Sequence, residues 1–110
     1  MPRPHLSFRA DWQGDQARLS VGGEIDLLTA ASLVETAGGL LGRNPATLVL
    51  DLAQVTFCDS AGVAALVKIY HQAATVSAQL RVRGAGDMVR HVLEISGVDR
   101  VIPVDDSPVG

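Results

Sequence analysis

The hydrophobic pattern changes its period several times along the chain, and these changes outline the secondary structure. Apolar residues alternate with polar ones over residues 6–10 and again over residues 17–21, which is the pattern of a half-buried strand. Residues 12–15 between them contain Gly14 and predict a turn. The first two strands are therefore expected to form an antiparallel hairpin.

From Thr29 the apolar residues follow the period of a helix, which Asn44 and Pro45 end. Residues 47–52 are then almost continuously apolar. This favours a central strand that is covered on both faces. Gly22 and Gly23 punctuate the chain before the first helix.

The second half of the chain predicts two more helices and two more strands. A helix over residues 60–74 buries Val63, Leu66, Val67 and Tyr70, and a helix over residues 87–96 buries Val89, Val92 and Leu93. Short strands are expected at residues 80–83, near an edge of the sheet, and at residues 101–104. The order β-β-α-β-α-β-α-β predicts one α/β domain with a mixed sheet flanked by helices.

Composition narrows the classes of protein that fit. The chain has 110 residues, of which 47% are hydrophobic and 19% charged, so it is expected to fold as one domain. Its net charge is −3 and it has no basic cluster, which argues against direct nucleic-acid binding. The single cysteine, Cys58, cannot form an intramolecular disulfide. Neither a membrane span nor a signal peptide is evident, so a cytoplasmic protein is expected.

The residues with the most chemical interest are 59–62, Asp-Ser-Ala-Gly, between an apolar strand and an amphipathic helix. Ser60 is either a plain helix N-cap or a hydroxyl that another protein modifies; Asp59 could serve as the cap instead. Parallel strands place Asp26 and Asp59 at the same edge of the sheet. Gly62 has no side chain and is expected to leave the backbone open to a partner.

Catalysis, metal binding and cofactor binding have little support in the sequence. Ser60 lies in no Gly-x-Ser-x-Gly elbow, and a helix beginning there carries His71 about 16 Å away, at ~1.5 Å per residue. His5, His71, His91 and Cys58 show no spacing typical of a metal site. Residues 84–86, Gly-Ala-Gly, lack the remaining residues of a nucleotide-binding motif. We therefore expect no enzyme activity, no metal and no cofactor.

Four segments stand out along the chain: 23–26, Gly-Glu-Ile-Asp, with Thr29 and Ala30; 48–52, Leu-Val-Leu-Asp-Leu; 57–62, Phe-Cys-Asp-Ser-Ala-Gly; and 95–98, Ile-Ser-Gly-Val. In their order and spacing they resemble the STAS domain family, and within it the bacterial anti-sigma factor antagonists. The resemblance implies one STAS domain over residues 1–110. Residues 105–110 leave the usual C-terminal helix short or absent.

The resemblance also implies a phosphorylation switch at Ser60. In that family the unphosphorylated antagonist binds an anti-sigma factor and frees its sigma factor, the anti-sigma factor is the serine kinase, and a PP2C-type phosphatase typically resets the switch. Alanine at position 61 leaves Ser60 as the only hydroxyl of residues 59–62. The expected partner-binding residues are Asp26, Thr29, Asp59, Ser60, Ala61, Gly62 and Val63. The alternative is a STAS interaction module without a phosphorylation switch, in a transporter or a signalling scaffold.

Overall fold

The first two strands are joined by a two-residue turn in which Gly14 has a φ of +62°, a conformation that suits glycine. The computed structural model describes residues 5–105. Its elements, in chain order, are β1 Ser7–Gln13, β2 Gln16–Ile25, α1 Ala30–Leu41, β3 Thr47–Cys58, α2 Ser60–Thr75, β4 Gln79–Arg83, α3 Asp87–Ser96, a 3-10 turn Val98–Arg100 and β5 Val104–Asp105.

The five strands form a single sheet in the order β1-β2-β3-β4-β5. β1 and β2 pair antiparallel, and the remaining neighbours pair parallel. This confirms the predicted α/β fold with an opening hairpin and a mixed sheet. The position of β4 beside the short edge strand β5 also agrees with the prediction that it lies near an edge.

All three helices lie on the same face of the sheet. From β2 to β5, each strand is followed in the sheet by the next strand of the chain, always in the same direction. Because the connections between parallel strands are right-handed, this order places every connecting helix on the same face. The burial of β2 agrees, since Ala17 and Leu19 are fully buried whereas Arg18 and Ser20 are partly exposed. The prediction that β3 is covered on both faces is confirmed only in part, because on the face without helices Val49 is buried whereas Asp51 is partly exposed.

The core lies between the sheet and the helices. Leu66 is fully buried, as expected. Val63 and Tyr70 are half-buried and pack against the core. The predictions for Val67 and Val92 are wrong. Val67 is 37% exposed, because it is rotated by about 100° from Leu66 around the helix. Val92 is only half-buried, because Val89 and Leu93 are the residues of α3 that enter the core.

Several elements have bounds that differ from the predicted ones. β2 continues past residues 17–21 through both glycines, with register shifts between Ser20 and Gly22 and between Gly23 and Glu24. β3 continues to Cys58, and the last strand begins only at Val104 because a 3-10 turn precedes it. The predicted shortening of the C-terminal helix concerned residues 105–110, of which Asp105 lies in β5 and the others lie outside the described residues.

Candidate functional site

The ends of β2 and β3 bring the two predicted aspartates together. Ile25 and Cys58 are register partners in the parallel ladder, and each is followed directly by an aspartate. The backbone N–H of Asp59 donates a hydrogen bond to the carbonyl of Ile25 at 3.2 Å. Asp26 and Asp59 therefore lie at the same edge of the sheet, as the sequence predicted.

Asp59 is the N-cap of α2. Its Oδ1 accepts hydrogen bonds from the N–H groups of Ala61 at 2.9 Å and Gly62 at 3.3 Å. Ser60 is the first residue of the helix and is exposed. Among residues 5–105, nothing forms a hydrogen bond with the Ser60 side chain. The hydroxyl is therefore not used as the helix cap, which was one of its two interpretations from sequence.

Thr29 has a structural role at the start of α1. Its side-chain hydroxyl donates to the carbonyl of Glu24 at 2.7 Å and accepts from the N–H of Asp26 at 2.9 Å. The Asp26 carboxylate in turn accepts from the N–H groups of Leu28 and Thr29 at 2.9 and 3.1 Å. Thr29 is only 2% exposed, so the structure contradicts its predicted place on the partner-binding surface.

Gly62 does not leave open backbone, and the prediction that it does is wrong. It is buried in the first turn of α2, facing the ends of β2 and β3. A Cβ atom at this position would lie 2.5 Å from Sγ of Cys58 and 3.0 Å from Cγ2 of Ile25. The glycine is needed because the helix start packs against these two residues, so its role is in the fold.

The other two predicted contact residues, Ala61 and Val63, are both half-buried. Val63 packs against the core. Ala61 lines a groove between α1 and α2 with a volume of about 480 Å³. We call this the α1–α2 groove; its lining residues are Leu27, Ala30, Ala31, Val34, Glu35, Ala61, Ala64, Ala65 and Lys68.

Two strongly exposed apolar side chains near Ser60 were not among the predicted site residues. Leu27 is 81% exposed and Leu28 is 73% exposed, in the turn between β2 and α1. Leu27 also lines the α1–α2 groove. The signal was present in the sequence, since two leucines stand in a turn between Asp26 and Thr29 where polar residues are usual.

The Cys58 thiol is protonated and unreactive at neutral pH, although it lies next to the candidate site. Its side chain is buried beneath the start of α2. Burial raises the pKa of the Cys58 thiol to about 11, and the negative charge of Asp59 adds to the effect. Because the thiolate is the reactive form of cysteine, this thiol is unreactive near neutral pH.

Over residues 5–105, no three metal-ligating side chains come together in one group. His71 packs its ring edge-on against Tyr70, with the centroids 5.6 Å apart, in the second half of α2. None of the helices in this part of the chain combines the length and the apolar character that crossing a membrane requires.

The chain belongs to the STAS domain family. Residues 8–103 match the family model described as "Mlab, STAS domain". This range contains all three α-helices and nearly the whole sheet. The family resemblance noted from the sequence is thereby confirmed.

Named relatives and solved structures are similar to most of the chain. The anti-sigma-F factor antagonist RsfB of Mycobacterium tuberculosis is 38% identical over 84 residues, covering 76% of this chain and 68% of RsfB. The crystal structure of an anti-sigma factor antagonist from Mycobacterium paratuberculosis superposes with a TM-score of 0.84 at 26% identity, covering 93% of this chain and 86% of the other. Unphosphorylated SpoIIAA superposes with a TM-score of 0.75 at 16% identity, covering 92% and 90%, and this similarity shows the fold alone.

Proposed function

We propose that this protein is an anti-sigma factor antagonist: its unphosphorylated form binds an anti-sigma factor, and phosphorylation of Ser60 prevents that binding. Membership of the STAS domain family and the similarity to RsfB support the class of function. The observation that supports the switch is that the Ser60 hydroxyl is exposed at the start of α2 and is not needed to cap the helix, because Asp59 is the cap.

The surface around Ser60 suits a protein partner. Leu27 and Leu28 are largely exposed in the turn between β2 and α1. The α1–α2 groove extends this apolar surface from Leu27 to Ala61. Exposed leucines next to a shallow groove form an apolar patch of the kind that marks protein interaction sites. We propose that the anti-sigma factor contacts Leu27, Leu28 and the groove, and so covers Ser60.

The position of Ser60 explains why a phosphate there need not damage the fold. The N–H groups of Ala61 and Gly62 already bond to Asp59, but the start of α2 is still the positive end of the helix dipole, which favours an anion. The hydroxyl is exposed and has no hydrogen bond to lose within the described part of the chain. Phosphorylation is therefore expected to change the surface charge and leave the structure intact.

The effect of the phosphate falls on the interface instead. It adds about −1.5 to −2 charges at neutral pH, next to Asp59 and at the sheet edge that also holds Asp26. A partner that covers Ser60 must desolvate this charge among two carboxylates, which is unfavourable without a matching cation. A penalty of about 3 kcal/mol weakens binding about a hundredfold.

In this proposal the chain is a cytoplasmic binding protein and performs no catalysis. The kinase is the anti-sigma factor itself, which transfers the γ-phosphoryl group of ATP to Oγ of Ser60. A PP2C-type phosphatase removes the phosphate and restores binding.

Phosphate mapping tests the assignment of Ser60. The protein is incubated with ATP and each kinase-type anti-sigma factor of its source organism, and phosphorylated peptides are identified by mass spectrometry. We expect one phosphate, on Ser60, and none in Ser60→Ala. Ser32→Ala is the matched control, because Ser32 is also exposed near the start of a helix, α1. Complexes with anti-sigma factors but no phosphate on Ser60 would favour the alternative, a STAS interaction module without a switch.

A further inference from the structure

The outer edge of β1 is open in the part of the chain that the structure describes. β1 is the first strand of the sheet and pairs only with β2. It has seven residues, contains no proline, and keeps an unbroken register with β2. Natural edge strands are usually protected from pairing by proline, bulges, very short length or charged side chains, and of these features β1 has only the charges of Arg9 and Asp11.

The hairpin turn determines which backbone groups of β1 are free. A two-residue turn makes Gln13 and Gln16 a hydrogen-bonded pair, and such pairs alternate along an antiparallel ladder. The odd-numbered residues of β1 therefore direct their N–H and C=O groups towards β2. The even-numbered residues, Phe8, Ala10 and Trp12, direct theirs outward, where they are available to another strand.

The side chains of β1 are complementary to themselves when the strand is reversed about Ala10. Reversal places Arg9 opposite Asp11, two side chains of opposite charge, on the open face of the sheet. It also places Phe8 opposite Trp12, both half-buried aromatic side chains on the helix-bearing face. Ala10 itself lies on the axis, where its small side chain would meet its own copy.

We propose that two copies of this protein pair through β1, antiparallel, about a twofold axis that passes through Ala10 perpendicular to the sheet. The two five-stranded sheets then join into one. Phe8, Ala10 and Trp12 form the hydrogen-bonded pairs across the axis. Arg9 and Asp11 fall in the non-hydrogen-bonded pairs, in which opposing side chains are closer together.

Neighbouring registers are less favourable on the same grounds. An axis through Arg9 or Asp11 would bring two identical charges face to face. It would also require backbone groups that are already bonded to β2. An axis through Phe8 or Trp12 would leave most of the seven residues unpaired. Only the axis through Ala10 pairs the whole length of β1 with its copy, uses backbone groups that are not bonded to β2, and places opposite charges together.

Ser60 takes no part in the proposed pairing. It follows β3, and β2 separates β3 from the β1 edge. The inference does not depend on the proposed function.

Variants with reversed charges in β1 test the proposal. Their association is measured by sedimentation equilibrium at concentrations up to ~1 mM, which are high enough to detect a weak dimer. The wild-type mass should rise from 11.5 kDa towards twice that value. Arg9→Asp and Asp11→Arg each place like charges opposite one another and should weaken dimerisation at least tenfold. An equimolar mixture of the two variants restores opposite charges and should recover a heterodimer.

Two further variants separate the edge from the rest of the surface. Arg81→Asp is the matched control, because Arg81 is an exposed strand arginine far from β1, and it should dimerise like the wild type. Ala10→Pro removes an N–H that points outward and should abolish dimers. Circular dichroism checks that each variant is folded, since Asp11 also has an ion pair with Arg18 at 3.7 Å. A wild-type protein that stays monomeric, or a dimer unaffected by Arg9→Asp, Asp11→Arg and Ala10→Pro, would overturn the proposal.

Discussion

The starts of α1 and α2 lie side by side at one edge of the sheet and are built from similar residues. Each has an aspartate directly after its strand, and in each the carboxylate accepts hydrogen bonds from two backbone N–H groups. Their hydroxyl residues differ. Thr29 is buried and bonded on both sides, whereas Ser60 is exposed and has no hydrogen bond within residues 5–105.

This difference separates a hydroxyl that holds the fold together from one that is available for chemistry. Removal of the Thr29 hydroxyl leaves the carbonyl of Glu24 and the N–H of Asp26 without their partner. Removal of the Ser60 hydroxyl leaves nothing unpaired. A residue whose loss costs no stability can be kept for modification, and the following predictions test this contrast from the largest expected effect to the smallest.

Gly62, where α2 packs against the ends of β2 and β3, should be the position at which a substitution lowers stability most. Gly62→Ala places a methyl group against Cys58 and Ile25, and we expect a loss of about 1–3 kcal/mol in the free energy of unfolding. The matched control is Gly39→Ala in α1, where a Cβ meets nothing within 4 Å. That change should stabilise the protein by up to about 1 kcal/mol. Urea denaturation measures both, and equal effects would mean that the packing around Gly62 is loose.

The two hydroxyls should respond differently to removal. Thr29→Val keeps the shape and deletes two hydrogen bonds of a buried group, with an expected loss of about 1–3 kcal/mol. Ser60→Ala should stay within about 0.5 kcal/mol of the wild type. Thermal unfolding of both variants makes the comparison. A large loss in Ser60→Ala would show that its hydroxyl has a structural role after all.

The cap of α2 should contribute a smaller amount than Thr29. Asp59→Ala removes the acceptor for the N–H groups of Ala61 and Gly62, and we expect a loss of about 1 kcal/mol. In the double variant Asp59→Ala, Ser60→Ala the loss should equal that of Asp59→Ala alone. A clearly larger loss in the double variant would mean that Ser60 can replace Asp59 as the cap.

At neutral pH the smallest effect concerns the thiol beneath α2, because this effect develops only as the pH rises. Because the folded protein raises the pKa of Cys58 from its usual 9.0 to about 11, the neutral thiol is favoured in the folded state. Its contribution to stability is complete below pH 9 and should be lost as the pH rises from about 9 to about 11. Unfolding curves at pH 8 and pH 10.5 measure the loss, which Cys58→Ala should reduce. An identical pH dependence in the variant would contradict this assignment.

Much of the fold could be predicted from the sequence because the helix and strand periods are clear and the connections are short. The order of elements and the shared edge of Asp26 and Asp59 both follow from this pattern. Strand ends were harder, because Gly22 and Gly23 normally interrupt a strand, yet here β2 continues through them with register shifts.

The candidate site was predictable in position and less so in detail. Which residue caps α2 depends on backbone conformation, so the sequence Asp59-Ser60 alone does not decide whether the aspartate or the serine is the cap. The packing of Gly62 cannot be predicted from the sequence, because its neighbours in space, Ile25 and Cys58, belong to strands that meet only in the folded sheet. Leu27 and Leu28 were overlooked because the helical period begins only at Thr29.

The most direct test of the account compares the affinity of the unphosphorylated protein with that of the protein carrying phosphoserine at position 60, for the same anti-sigma factor. Isothermal titration calorimetry should show binding weakened about a hundredfold by the phosphate, for a penalty of about 3 kcal/mol. The two forms should have nearly the same melting temperature. Equal affinities of the two forms would contradict the proposed switch.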